Sequence, residues 1–176
     1  MFLDDSGAVI PGMSLYSRAG SGVPGTVDGL IRIFKDHGSG KISIRQVLAP
    51  AIRLAEKGFL LSHYEARQFN AYKSFFERND AAANIFIRKD NRPWKENDRF
   101  IQRDLSKTLK RIAKYGRDGF YPGPVAKMIV EEMKRGNGLI SMDDLSNYSS
   151  KYRDPVTGYY KGYEVISMGP PSSGGA

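Results

Sequence analysis

Apolar residues recur at helical spacing from Val27 onward. Val27, Leu30, Ile31 and Phe34 fall at i, i+3, i+4 and i+7, one face of a helix. Thr26 offers a hydroxyl to cap the start of that helix, and Gly38 the backbone freedom to end it. A stronger start signal follows in Ser43-Ile44-Arg45-Gln46, a capping box. Behind it, Val47, Leu48, Ala51, Ile52 and Ala55 form an apolar stripe closed by Gly58. Pro50 lies inside this stripe and removes one ladder bond, so a kink is expected. The short connection between the two helices predicts an antiparallel αα-hairpin. A third helix is expected over residues 62–78. Its aromatics Tyr64, Phe69, Tyr72, Phe75 and Phe76 are expected either in a core or at an interface with an absent neighbour.

The alternating piece Ile85-Phe86-Ile87 predicts a short strand, followed by a turn at Asp90-Asn91-Arg92-Pro93. Asp104 is expected to cap a helix carrying Leu105, Leu109, Ile112 and Ala113 and ending at Gly116. Pro122 or Pro124 opens the next helix, with Val125, Met128, Ile129 and Met133 on one face and Gly136 after it. Ser141-Met142-Asp143-Asp144 is another capping signature. The period then changes. Residues 156–160 and 163–168 are rich in Tyr, Val and Ile and are joined by Lys161-Gly162, which predicts a β-hairpin. The expected fold class is mainly α with a small β portion, αα-hairpins plus a C-terminal β-hairpin. It forms a single partial domain over 1–176 with no internal boundary and no repeat.

Composition narrows the chemistry. With 176 residues, 40% of them hydrophobic, the chain can build a core. No apolar run approaches the roughly 18 residues of a membrane helix. There is no cysteine, which removes disulfides, thiolate zinc sites and cysteine nucleophiles. The segment from Met1 to Asp5 has neither a basic nor an apolar stretch, so no signal peptide is expected there. The formal net charge is +8. Arg103, Lys107, Lys110, Arg111, Lys114 and Arg117 are the dense cluster, interrupted by Asp98, Asp104 and Asp118. A solvated helix face accounts for it; the alternative is a basic helical module that binds nucleic acid or acidic surfaces.

Candidate constellations are sparse. His37 and His63 make no metal-ligand pair, and adjacent Asp4-Asp5 and Asp143-Asp144 point apart. The run Gly20-Ser21-Gly22-Val23-Pro24-Gly25 superficially matches a dinucleotide fingerprint. No strand precedes it, and Pro24 lacks an amide that a phosphate cradle would use. Ser172 and Ser173 sit in no nucleophile elbow. No nucleophile–base–orienter set can be assembled, and no metal or cofactor is expected.

The blocks taken together carry more. Phe2-Leu3-Asp4-Asp5, Gly22-Val23-Pro24-Gly25-Thr26-Val27, Leu48-Ala49-Pro50-Ala51-Ile52 and Gly119-Phe120-Tyr121 come in order. Asp143-Asp144-Leu145, Gly162-Tyr163-Glu164-Val165 and Pro170-Pro171-Ser172-Ser173-Gly174-Gly175 follow. In order and spacing, across nearly the whole chain, this resembles the γ-glutamyltransferase (glutathione hydrolase) family. Two departures occur: Gly169 where the family usually has a further proline, and Leu139 where it usually has a second glycine.

The resemblance implies a middle-to-late part of the large subunit of an N-terminal nucleophile hydrolase, whose complete fold is an αββα sandwich. In that family a precursor cleaves itself, and the new N-terminal threonine of the small subunit attacks a γ-glutamyl amide. The implied partners are the rest of the large subunit and the small subunit, with γ-glutamyl substrates such as glutathione bound only by the complete enzyme. By the same resemblance the threonine, the oxyanion glycines and the substrate-binding serines lie beyond Ala176, and the carboxylate-gripping arginine lies before Met1. No catalytic or substrate-binding residue is therefore expected in this chain, and Ser172-Ser173 are not the substrate-binding pair. The chain, ending on what reads as the opening signal of an element, is expected to be a cut piece. Alone it should be inactive and expose apolar surface. A periplasmic or secreted location is expected by resemblance.

Overall fold

A computed structural model describes residues 2–170 and residue 172. The segment up to Gly25 is mostly irregular, with a short helix α1 (Met13–Tyr16) and one 3-10 turn (Arg18–Gly20). Helix α2 (Thr26–His37) follows. Gly25, not Thr26, occupies its cap position, and a Cβ on Gly25 would lie 2.2 Å from the Tyr148 hydroxyl. Tertiary packing thus claims the position that the cap signal left open.

Helix α3 (Ile44–Lys57) begins with the expected capping box. Gln46 N–H donates to Ser43 Oγ at 3.3 Å, and Ser43 N–H donates to Gln46 Oε1 at 2.8 Å. The helix runs on through Pro50 as one element. It does not pair with α2 as an αα-hairpin. It packs instead along α7 (Arg103–Tyr115), far away in sequence. The Ala55 carbonyl accepts from Gln102 N–H at 2.9 Å, and Lys110 pairs with Glu56 at 2.5 Å. Ala55 on one helix and Ser106 and Ala113 on the other are small and buried, which permits close approach. Asp104 is not the cap of α7: Gln102 holds that position, and Asp104 in the first turn bonds Lys107 at 2.8 Å.

Residues 62–78 form two helices rather than one, α4 (His63–Ala71) and α5 (Lys73–Phe76). Asn70 pins the end of α4 by bracketing the Trp94 backbone, donating to its carbonyl and accepting from its N–H, each at 2.8 Å. The aromatics divide accordingly. Phe69 joins a core with Leu61, Ala66 and Phe100, whereas Tyr64, Tyr72 and Phe75 stay exposed. Residues 85–87 are no strand: α6 (Asp80–Phe86) takes Ile85 and Phe86. Its cap Asn79 accepts from Ala82 N–H at 3.1 Å, and three successive alanines favour helix, which outweighs a three-residue alternation. Phe86 then stacks on Phe76 and Phe100, with ring centroids at 4.7 and 5.9 Å. Two minimal strands, β1 (Phe59–Leu60) and β2 (Arg99–Phe100), pair antiparallel under this cluster.

Helix α8 (Pro124–Arg135) opens with Pro124, and α9 (Met142–Asn147) with a Ser141/Asp144 capping box. The second core joins them: Tyr121, Ala126, Val130, Ile140 and Leu145 are buried, with Val23, Val27 and Tyr148 packed against them. Last comes the expected hairpin, β3 (Val156–Tyr160) and β4 (Tyr163–Ser167), in register from Val156↔Ser167 to Tyr160↔Tyr163. Lys161 and Gly162 both take left-handed backbone, with φ of 48° and 84°, as a type I′ turn requires. All of β3 and most of β4 are exposed. The opening signal expected at the chain's end falls largely on Pro171 and residues 173–176, outside the described residues.

Candidate functional site: a polar knot at Asp28

The most built polar arrangement lies where α2, the turn after α7 and the segment after α9 meet. Asp28 is 6% exposed. Its Oδ1 accepts from Arg117 Nε at 3.0 Å. Its Oδ2 accepts from Ser150 N–H at 2.7 Å and from Ser150 Oγ at 2.6 Å. Arg117 uses Nη2 for the carbonyls of Ser146 (2.9 Å) and Tyr148 (2.7 Å). Its guanidinium also lies over the Tyr121 ring, 4.9 Å from the centroid. The Tyr121 hydroxyl accepts from Asp28 N–H at 3.2 Å and donates to the Pro24 carbonyl at 2.6 Å. Tyr121 and Tyr148 stack at 5.6 Å.

Burial alone would raise the Asp28 pKa. The two hydrogen bonds from Ser150 and the charges of Arg117 and Arg32 outweigh it and hold the carboxyl below its ordinary value. Burial pushes the Tyr121 phenol up, against the opposing hydrogen bond from Asp28 N–H. Both carboxylate oxygens of Asp28 are thus engaged by donors of the chain itself, and no histidine hydrogen-bonds any member. The arrangement holds three segments in register. It leaves no activated nucleophile.

The other candidate residues stay apart. His37 ends α2, with Nε2 3.3 Å from the Tyr152 hydroxyl, and His63 starts α4. Asp4 closes a local turn, accepting from Ser6 N–H and Ala8 N–H at 2.9 Å each. Asp144 is spent on capping α9. The Gly20–Gly25 loop turns the Pro24 carbonyl, an acceptor, toward Tyr121. Within the basic cluster, Lys107 and Lys110 bind Asp104 and Glu56, and Arg117 points inward to Asp28. Among the described residues no group of three His, Cys, Asp or Glu could hold a metal ion. No helix there is long and apolar enough to cross a membrane. Sequence reasoning missed the knot. The available signal was slight: Asp28 lies at the polar edge of the Val27/Ile31 stripe, beside Arg32 and Lys35.

Comparison with known proteins supplies the remaining context. The family model for gamma-glutamyltranspeptidase matches residues 1–176. The chain is 39% identical over 175 residues to the glutathione hydrolase proenzyme of Escherichia coli K12, covering 99% of this chain and 30% of that protein. It is 38% identical to the Bacillus subtilis 168 glutathione hydrolase proenzyme, covering 99% of this chain and 29% of that protein. Its structure matches Helicobacter pylori gamma-glutamyltranspeptidase with a TM-score of 0.94 and 41% identity, over 99% of this chain and 50% of that one. The Bacillus anthracis transpeptidase CapD matches with a TM-score of 0.75 and 36% identity, over 87% of this chain and 51% of that one. The mainly helical architecture with two small antiparallel sheets is that of a segment of this fold. The chain spans about 30% of the length of these curated relatives. By the match along its whole length, it belongs to the gamma-glutamyltranspeptidase family.

Proposed function

We propose that the polypeptide carrying this chain cleaves γ-glutamyl amides such as glutathione and passes the glutamyl group to water or to an amino-acid or peptide acceptor. This segment, a single partial domain, is its support. The observation that carries the reading is the 39% identity, over 99% of this chain, to a protein named glutathione hydrolase proenzyme. The knot agrees with a supporting role, since it fixes the segment leading into the hairpin and exposes no reactive group.

The chemistry the family resemblance implies uses an N-terminal threonine outside this chain. Its hydroxyl attacks the γ-carbonyl, an ester forms, the amide C–N bond breaks, and the hydroxyl proton passes through the α-amine to the departing amine. Water or an acceptor amine then cleaves the ester. The partners are accordingly the rest of the large subunit and a threonine-bearing small subunit. A periplasmic or secreted location goes with this reading, and fractionation of cells expressing the full polypeptide checks it.

The test is release of the aniline from a γ-glutamyl anilide. The full polypeptide should turn it over, and the 176-residue chain alone should not. An inactive full polypeptide overturns the activity, and an active isolated chain overturns the supporting role.

A further inference from the structure

The α3–α7 seam opens on one side into a groove of about 380 Å³. Its rims carry Arg45, Arg53 and Lys57 from α3 and Lys110 and Lys114 from α7, against the single carboxylate of Glu56. All five cations are exposed. Glu56 is engaged by Lys110, while Arg45, Arg53 and Lys57 have no ion-pair partner among the described residues. The placement opposes helix stability. Arg53 and Lys57 are a like-charged i, i+4 pair on one helix, and Lys110 and Lys114 are another on the facing helix. The floor, by contrast, is apolar: Ala49, Ile52 and Ala113.

We propose that this groove is a docking surface for an acidic, amphipathic peptide segment of a separate protein, with carboxylates on the two cationic rims and small apolar side chains on the floor. Charge complementarity selects the occupant. A permanent cover from the same polypeptide would have to desolvate five cations, whereas obligate interfaces are the more hydrophobic ones. The chain does have faces of that obligate kind, such as the hairpin with Val165 and Ile166 exposed. A solvated cationic groove instead suits an exchangeable partner steered by charge. No aromatic side chain lines the groove to stack bases, which disfavours single-stranded nucleic acid.

The test uses the full polypeptide and a fluorescein-labelled synthetic peptide of alternating glutamate and leucine, followed by fluorescence anisotropy. Binding should be measurable at low salt and weaken as screening rises. It should fall about tenfold or more in the double variant Arg53→Glu/Lys57→Glu, and hold in Lys89→Glu, an exposed cation elsewhere. If the double variant fails to fold by circular dichroism, Lys114→Gln on the opposite rim serves, with a smaller loss in the same direction. The proposal is overturned by absence of binding, by binding indifferent to the rim substitutions, or by tighter binding of double-stranded DNA or of phosphatidylglycerol vesicles than of the peptide. γ-Glutamyl anilide turnover should be unchanged in the rim variants, so this proposal can fail while the enzymatic reading stands.

Discussion

Tyrosines in two regions of this chain meet opposite fates. Tyr121 is fully buried, stacks on Tyr148, hydrogen-bonds at both lone pair and proton, and lies under Arg117. Tyr159, Tyr160 and Tyr163 in the hairpin are 81%, 65% and 76% exposed. Residue type is the same, so the difference lies in what the chain brings to each. Around Tyr121, α2, α8 and α9 close a core from within these 176 residues. The hairpin has two bare faces and two open edges, and a two-stranded sheet by itself is marginal in water. One region completes its own packing; the other leaves its large apolar side chains uncovered among the described residues.

The largest effect that would break this contrast belongs to Tyr121→Ala. It removes a buried ring and both its hydrogen bonds, and should cost about 3–5 kcal/mol in urea unfolding. Asp28→Asn comes next. It strips the charge that Arg117 faces and should cost about 3 kcal/mol near neutral pH. Its pH dependence has a definite sign. The folded-state pKa of Asp28 lies below its ordinary 3.8, so the contribution is complete above that value and is lost as pH falls from there toward the folded value. The stability gap between the parent and Asp28→Asn should therefore be flat from neutral to mildly acidic pH and close below about 3.8. Gly25→Ala, whose new methyl meets the Tyr148 hydroxyl, should cost about 1–3 kcal/mol, read as a shift in urea midpoint. Tyr159→Ala should be smallest, within about 0.5 kcal/mol in the isolated chain. In the full polypeptide the same substitution is expected to cost more, roughly 2 kcal/mol, the cost of uncovering a ring that further chain has buried.

Local signals in the sequence translated well into structure. The capping boxes at Ser43 and Ser141, Pro124 at the start of α8 and Lys161-Gly162 in the hairpin turn all act within a few residues, so the sequence states them directly. Other readings went differently, one because a neighbouring local signal was stronger and others for a reason far off in sequence. Ile85 and Phe86 joined a helix because the Asn79 cap and the alanines act together. Helix α3 chose α7 over its sequence neighbour α2. The stretch 62–78 broke where Asn70 reaches Trp94, 24 positions away. The knot was illegible for the same reason, since Asp28 meets Arg117 and Ser150 across 89 and 122 positions. Arg117 in particular read as one more cation of a solvated cluster. The expectation that no reacting group lies in this chain rests on family resemblance; spacing could say no more than that no set could be assembled.

Amide hydrogen exchange on the isolated chain and on the full polypeptide tests the contrast most directly. The account predicts that amides of residues 118–148 are similarly protected in both, and that those of β3 and β4 are protected only in the full polypeptide. Equal protection of the hairpin in the isolated chain would contradict it.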